Sequence, residues 1–260
     1  MKLKMYFVDA FAEEPFTGNP AGVTILKQWL PDDVMQNIAA ENNLSETAFV
    51  VQENDRFYIR WFTPQVEVDL CGHATLASGF VLFNELKFEK KTIIFESKSG
   101  ILKVTANGDN IALDFPALDL KEITIPENSV EALGIKPVEA YSSIDDYFFV
   151  YDSQSVIEKI TPDNQELMKY DCRGIIVTAP GNNVDFVSRF FAPKVGIPED
   201  PVTGSAHTKL IPYWSKKLGK QKFTAKQLSK RGGKLYCSNN GDRVEIAGKA
   251  ILYLSGEINI

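Results

Sequence analysis

An internal repeat constrains the fold of this 260-residue chain more than any other feature of its sequence. The segment FYIRWFTP at 57–64 recurs as FVSRFFAP at 186–193, with Phe, Arg, an aromatic pair and Pro in the same places. Two more matches follow in order: GHAT at 72–75 with GSAH at 204–207, and GILKVTANGDNIAL at 100–113 with GKLYCSNNGDRVEI at 233–246. Because the offset between copies stays between 129 and 133 residues, the pattern predicts a duplicated domain, with repeats at 1–117 and 118–260.

Each repeat has the same predicted plan of a strand before the shared Pro, a loop, a helix and a hairpin. The first helix, about 72–86, is apolar on nearly every side, which is typical of a helix enclosed by other structure. The second, about 204–218, contains Pro212, which should kink it, and Gly219 supplies a stop. Asn-Gly-Asp at 107–109 and at 240–242 predicts two tight turns. The fold class is therefore α+β: two pseudo-symmetric repeats, each a mostly antiparallel sheet wrapped around a central helix.

Composition excludes several classes of protein. A net charge of -6 gives no basis for binding nucleic acid or an anionic membrane, and the lysine-rich stretch 216–234 is interpreted as a solvated face. No segment resembles a signal peptide or a membrane span, so we expect a cytoplasmic protein. Three cysteines without a CxxC pair indicate neither a disulfide scaffold nor a zinc knuckle.

The loops that precede the two helices are the best candidates for a functional site. They read PQVEVDLCGHAT and PKVGIPEDPVTGSAHT and contain both histidines of the protein, His73 and His207. A glycine at a helix start leaves backbone N–H groups free, and the helix dipole adds positive charge there. We therefore expect a small carboxylic acid to bind in the cleft between the repeats.

Four motifs give the chain a resemblance to a known family. They are FTGNPAGV at 16–23, NNLSETAFV at 42–50, FTPQVEVDLCGHATLA at 62–77 and EDPVTGSAH at 199–207. In order and spacing they resemble the PhzF-like isomerases of phenazine biosynthesis, which are relatives of diaminopimelate epimerase and proline racemase. The resemblance implies a homodimer without a cofactor or metal. The well-understood activity of that family is the isomerisation of dihydro-3-hydroxyanthranilate.

The resemblance also implies the roles of individual residues. Glu46 takes the position of the catalytic glutamate, and the substrate-contacting positions are His73, Asp200, Ser205, Gly72, Gly204 and Asn19. Considered without the resemblance, Glu46 is better interpreted as an exposed strand entry. The structural alternatives for the others are a helix cap for His73, a turn before Pro for Asp200 and a helix start for Ser205. His207, one turn into its helix, is interpreted as structural.

Three other mechanisms fit the sequence poorly. Epimerisation by two thiols lacks its second thiol, because the repeat places Thr203 opposite Cys71. A zinc site made from Cys71, His73 and His207 lacks a local ligand pair, and Ser205 lacks the glycine pattern of a nucleophile elbow. We therefore predict a cofactor-independent isomerase in which Glu46 moves a proton between carbons of a small carboxylic acid. An inactive binding or scaffold protein, and an amino-acid epimerase or racemase, stay as alternatives.

Overall fold

The computed structural model describes residues 1–54 and 56–260. The chain divides into two compact units, of which unit 1 comprises Met1–Phe115 with Ile246–Ile260, and unit 2 comprises Pro116–Glu245.

The C-terminal segment follows a different division from that of the predicted repeats. Strand β17 (Ala250–Asn259) pairs antiparallel with β1 (Lys2–Ala10), and this pairing places residues 246–260 in unit 1. The predicted repeat at 118–260 therefore includes residues 246–260, whereas compact unit 2 ends at Glu245. The repeat boundaries themselves stay a prediction from sequence.

Unit 1 is a mixed sheet with helices on both of its sides. Its further strands are β2 (Asn19–Leu26), β3 (Glu46–Glu53), β4 (Arg56–Phe62), β5 (Glu67–Val68), β6 (Thr92–Ser97), β7 (Gly100–Asn107) and β8 (Asn110–Pro116). Its helices are α1 (Asp32–Asn42) and α2 (Gly72–Phe80), and a wider π-helical turn (Val81–Glu85) extends α2. The pairings are antiparallel except for β2 with β3 and β4 with β6.

Helix α2 is enclosed, as the sequence predicts. It contacts β1, β2, β3, β7 and β17, and each residue from His73 to Gly79 is buried. Small side chains make this possible: a Cβ added at Gly79 would lie 2.7 Å from Val104 Cγ1 on β7. Helix α1 covers the other side of the sheet, where Met35 and Ile38 pack with Phe49 and Phe62. The start of α2 is thereby held firmly between strands.

Unit 2 repeats this arrangement. Its strands are β9 (Lys121–Glu122), β10 (Glu139–Ser142), β11 (Asp146–Val150), β12 (Gly174–Pro180), β13 (Phe186–Phe191), β14 (Lys222–Gln227) and β15 (Gly233–Asn239), and β16 (Arg243–Gly248) crosses the unit boundary. Its helices are α3 (Ser129–Leu133), α4 (Gln154–Lys159), α5 (Asn164–Leu167), a 3-10 turn (Pro193–Val195) and α6 (Gly204–Leu218). Successive strands from β11 to β15 pair parallel, antiparallel, parallel and antiparallel. The strands β2, β3, β4, β6 and β7 of unit 1 pair in the same alternating order.

Helix α6 runs through Pro212 and ends, as predicted, at Gly219, whose φ is 66°. Proline has no N–H for the Thr208 carbonyl, and Leu118 N–H donates to that carbonyl instead at 3.0 Å. Trp214 stacks on Phe186 of β13 at 5.6 Å. Among the helices of the described chain, none has the length and apolar character that crossing a membrane requires.

The matched octamers of the repeat build the same ion pair in each unit. Arg60 on β4 donates from Nε and Nη2 to Glu67 at 2.7 and 2.8 Å, and Arg189 on β13 contacts Glu199 at 2.7 and 3.1 Å in the same way. Bidentate pairs of this kind are stronger than single contacts because two parallel hydrogen bonds fix the geometry. The pair supports the loop that leads into each central helix.

The Glu67 pair predicts a pH-dependent contribution to stability. Hydrogen bonding by Arg60 lowers the pKa of Glu67 from 4.5 to about 2. The stabilisation is therefore complete above pH 4.5 and is lost as the pH falls through about 2. We expect Glu67→Gln to lower the free energy of unfolding by about 1–2 kcal/mol at pH 7. The difference in this free energy between the variant and wild type should shrink as the pH falls from 4.5 to about 2. Urea unfolding at several pH values measures it, and Glu41→Gln, on an exposed site of α1, is the control. A difference that does not vary with pH would contradict the prediction.

Candidate active site

Glu46 and His73 meet in unit 1. Glu46 is the first residue of β3 and pairs with Ala21 of β2, and His73 lies in the first turn of α2. Their Oε2 and Nε2 atoms are 3.1 Å apart, with side chains only 11% and 7% exposed. A carboxylate and an imidazole so shielded from water can exchange protons with a bound molecule without competition from solvent.

Cys71 completes this group from the N-cap position of α2. Its Sγ lies 3.5 Å from His73 Nδ1 and 3.9 Å from Nε2. Burial, with a contribution from the Glu46 charge, raises the pKa of Cys71 to about 11, so Cys71 is a neutral thiol at neutral pH. For His73 burial acts to lower the pKa, whereas Glu46, and Cys71 in its ionised form, act to raise it, and the net direction is upward.

Two further predicted residues lie in unit 1 near this group in the fold. Gly72 opens α2, and across the described chain no side chain caps this helix end through a hydrogen bond. Asn19 is fully buried at the start of β2, two residues before the Ala21 that pairs with Glu46. The backbone amides of the first turn can therefore receive an anion beside Glu46 and His73.

Unit 2 places its predicted residues at the start of α6. Thr203 is the N-cap, and its hydroxyl donates to Asp200 at 2.5 Å. Buried Gln227 of β14 accepts from the Thr203 N–H and donates to the Asp200 carbonyl, at 2.9 and 2.8 Å. Asp200 and Gly204 are thus held in a fixed relation by a hydrogen-bonded loop.

Ser205 is positioned by charged groups that the sequence analysis did not identify. Arg173, just before β12, donates to Ser205 Oγ at 3.1 Å and forms a bidentate pair with Asp146 at 3.1 and 2.6 Å. Lys209, fully buried one turn further along α6, contacts Asp146 at 2.6 Å and Asp145 at 2.9 Å. We call Asp145, Asp146, Arg173 and Lys209 the unit 2 ion network. It holds an arginine, 35% exposed at its side chain, against Ser205.

One sequence signal could have pointed to this network. Lys209 stands among apolar residues in GSAHTKLIPYW, where a buried lysine requires an anionic partner. Asp145-Asp146 before the apolar run YFFV was a candidate for that partner. Pairing the two requires the spatial proximity of β11 and α6, which spacing alone does not provide.

His207 takes no part in a serine-centred arrangement. It is fully buried, its Nδ1 lies 2.8 Å from the Thr203 carbonyl, and burial lowers its pKa to about 4. Thr75 occupies the equivalent place in unit 1 and donates to the Cys71 carbonyl at 2.6 Å. The geometry supports the structural interpretation of His207 and gives Ser205 an arginine, rather than a histidine, as partner.

An open cavity of about 760 Å³ also lies in unit 2, away from the predicted residues. Glu139 on its wall already accepts hydrogen bonds from Tyr141, Tyr213 and Lys217, at 2.8, 2.8 and 2.7 Å. Since its carboxylate is engaged in structural contacts, we favour as candidate functional residues those at the start of α2 in unit 1 and, separately, those at the start of α6 in unit 2.

Comparison with known proteins gives a consistent result. The sequence model of the PhzC-PhzF family, described as phenazine biosynthesis-like protein, matches residues 8–256. The chain is 50% identical to an uncharacterized isomerase of Pseudomonas aeruginosa over the full length of both. The crystal structure of a PhzF-family phenazine biosynthesis protein from Enterococcus faecalis superposes with a TM-score of 0.98 at 52% identity, covering 100% of both chains. A hydroxyproline epimerase from Agrobacterium vitis, 9% identical and with 99% of this chain and 92% of its own covered, shares the fold at a TM-score of 0.62.

Proposed function

Because the chain belongs to the PhzC-PhzF family of phenazine biosynthesis-like proteins, we propose that it is an isomerase that moves a proton between carbons of a small carboxylic acid. Glu46 is the general acid and base, and no cofactor takes part. The observation that carries the proposal is the buried contact of 3.1 Å between Glu46 and His73 at the start of α2.

The proposed reaction uses one base on one face of the substrate. Glu46 removes a proton from carbon, and the electron pair left behind is delocalised over the adjoining unsaturated system. His73, whose Nε2 lies 3.1 Å from Glu46 Oε2, orients the carboxyl group and is placed to donate a hydrogen bond to the anion that forms. Protonated Glu46 then returns the proton to a second carbon, so that substrate and product have the same composition.

Substrate binding is assigned to the residues at both helix starts. The backbone amides at Gly72 and Gly204 suit a carboxylate, because each begins a helix that no side chain of the described residues caps through a hydrogen bond. Asp200 and Ser205 suit an amino or hydroxyl substituent. It stays a prediction from sequence that one substrate contacts both helix starts and Asn19.

The alternatives have less support. A two-thiol epimerase needs a cysteine in each unit, one as a thiolate base and the other as a thiol acid, but the pKa of Cys71 is raised to about 11, and the second position is Thr203, whose hydroxyl donates to Asp200. An inactive binding protein has no need for a carboxylate and an imidazole buried in contact, which cost free energy to desolvate. These residues therefore favour catalysis.

Solvent exchange tests the proposal. The protein is incubated in heavy water with a panel of unsaturated amino- and hydroxy-substituted carboxylic acids, dihydro-3-hydroxyanthranilate among them. We expect deuterium at carbon with wild type and none with Glu46→Gln, as measured by mass spectrometry and NMR. Exchange that Glu46→Gln leaves unchanged would refute the role of Glu46, and absence of exchange over the panel would favour a binding protein.

Arg173 should affect substrate binding through Ser205. Lysine cannot span both Asp146 and Ser205 as the guanidinium does, so we expect Arg173→Lys to raise KM about tenfold, the equivalent of one charge-assisted hydrogen bond, with a smaller change in kcat. Steady-state exchange rates measure both constants. If Arg173 acts by positioning Ser205, Ser205→Ala should raise KM similarly and the double variant should add little. Fully additive effects would contradict this.

A further inference from the structure

The Glu46, Cys71 and His73 side chains offer one ligand atom each within 4.8 Å of one another. His73 Nε2 is the central atom, 3.9 Å from Cys71 Sγ and 3.1 Å from Glu46 Oε2. In the described structure Glu46 Oε2 is buried and has no hydrogen-bond partner. We propose that these three side chains form a binding site for a thiophilic divalent cation of the Zn²⁺ class.

Distances support a shared ion. Zinc binds sulfur at about 2.3 Å and nitrogen or oxygen at about 2.0–2.2 Å, which in a tetrahedron separates neighbouring ligand atoms by about 3.3–3.8 Å. The two measured separations, 3.1 and 3.9 Å, lie just outside that range on either side. Cys71 Sγ lies nearer to His73 Nδ1, at 3.5 Å, than to Nε2, so Cys71 must turn about its Cα–Cβ bond toward Nε2 before all three atoms bind one ion, with a fourth position left open.

Charge and ligand type select the class of ion. A thiolate and a carboxylate balance the double positive charge, so the loaded site is neutral and suits a buried position. The thiol and imidazole protons leave to solvent when the ion binds. A sulfur and a nitrogen ligand favour Zn²⁺ or Co²⁺ over Mg²⁺ and Ca²⁺, which prefer oxygen. The zinc site considered in the sequence analysis had Cys71, His73 and His207 as ligands. In the site proposed here Glu46 replaces His207.

The site has a consequence for activity that rests on the proposed function. An ion held by Glu46 and His73 occupies the base and its partner, so Zn²⁺ should inhibit proton transfer. Cys71 supplies the sulfur ligand of this site without serving as a base. The ion is therefore an inhibitor of the proposed reaction and no part of it.

Cobalt spectroscopy tests binding independently of activity. The full-length protein, freed of metal by a chelator, is titrated with Co²⁺ alone and then with Zn²⁺. We expect one Co²⁺ per chain, with a thiolate-to-cobalt charge-transfer band and the visible bands of a tetrahedral site, displaced by Zn²⁺. Cys71→Ser should abolish the charge-transfer band and weaken Zn²⁺ binding at least about tenfold, whereas Cys172→Ser, at a partly exposed thiol, should change neither. No band in excess Co²⁺, or a band retained in Cys71→Ser, would overturn the proposal.

Two additions keep the outcome interpretable. If Cys71→Ser does not fold, as judged by circular dichroism, His73→Gln should keep a thiolate band but weaken binding, and unchanged affinity in that variant would equally overturn the site. In the exchange assay Zn²⁺ should inhibit wild type and a chelator should restore it. Wild type that shows no exchange even without metal counts against the isomerase, while the cobalt titration still decides the metal site.

Discussion

Glu46→Gln should lower the rate of deuterium incorporation by about 10²–10⁴-fold, the usual contribution of a positioned general acid and base. The amide has nearly the same volume as the carboxylate and should fill the same buried place at the start of β3. It cannot accept a proton from carbon, and it removes the charge that His73 faces at 3.1 Å. The loss should therefore appear in kcat, with the substrate still bound.

A matched control exists on the same strand. Glu53, at the far end of β3, is exposed, and Glu53→Gln makes the same chemical change there. We expect exchange at the wild-type rate from this variant. Glu46→Asp should keep partial activity, because it retains the base but draws it back by one methylene. A Glu46→Gln rate within a few-fold of Glu53→Gln would exclude Glu46 as the base.

The sequence repeat predicted much of the fold because its matched residues have the same structural task in each unit. Arg60 and Arg189 each pair with a glutamate that follows further along the chain, Glu67 on β5 and Glu199 before α6, and Asn-Gly turns connect the predicted hairpins. Strand β17 was assigned to the second repeat by chain order. Its partner is β1, at the opposite end of the chain, and no local pattern encodes a pairing over that separation.

The candidate site was predictable only in part, for a related reason. Motif resemblance identified Glu46 and His73, and the structure brings them into contact. The role of Cys71 was left open because its environment decides whether it is a thiolate base, a neutral thiol or a metal ligand. Arg173 lies outside the four motifs and reaches Ser205 only through the folding of β11, β12 and α6 together.

The unit 2 ion network should make the largest electrostatic contribution to stability. Lys209 and Asp146 are both fully buried at their side chains, 2.6 Å apart. Asp146→Asn leaves the Lys209 ammonium with only the partly exposed Asp145 as a counter-ion, and breaking a buried pair typically costs about 3–5 kcal/mol. Because Asp145 compensates in part, we expect a loss near 3 kcal/mol in the free energy of unfolding, measured by urea denaturation with circular dichroism.

A double-mutant cycle separates the pair from its surroundings. Lys209→Met should cost less than Asp146→Asn, because Asp146 keeps its bidentate contact with Arg173. In the double variant no lysine charge is left buried without a partner. The double variant should therefore lose less free energy of unfolding than the sum of the two single variants, by about 1–3 kcal/mol. Asp152→Asn, an exposed change just after β11, is the control and should cost less than about 0.5 kcal/mol. Additive single losses would mean that Lys209 and Asp146 stabilise unit 2 independently, and Asp146 would then act mainly by holding Arg173 against Ser205.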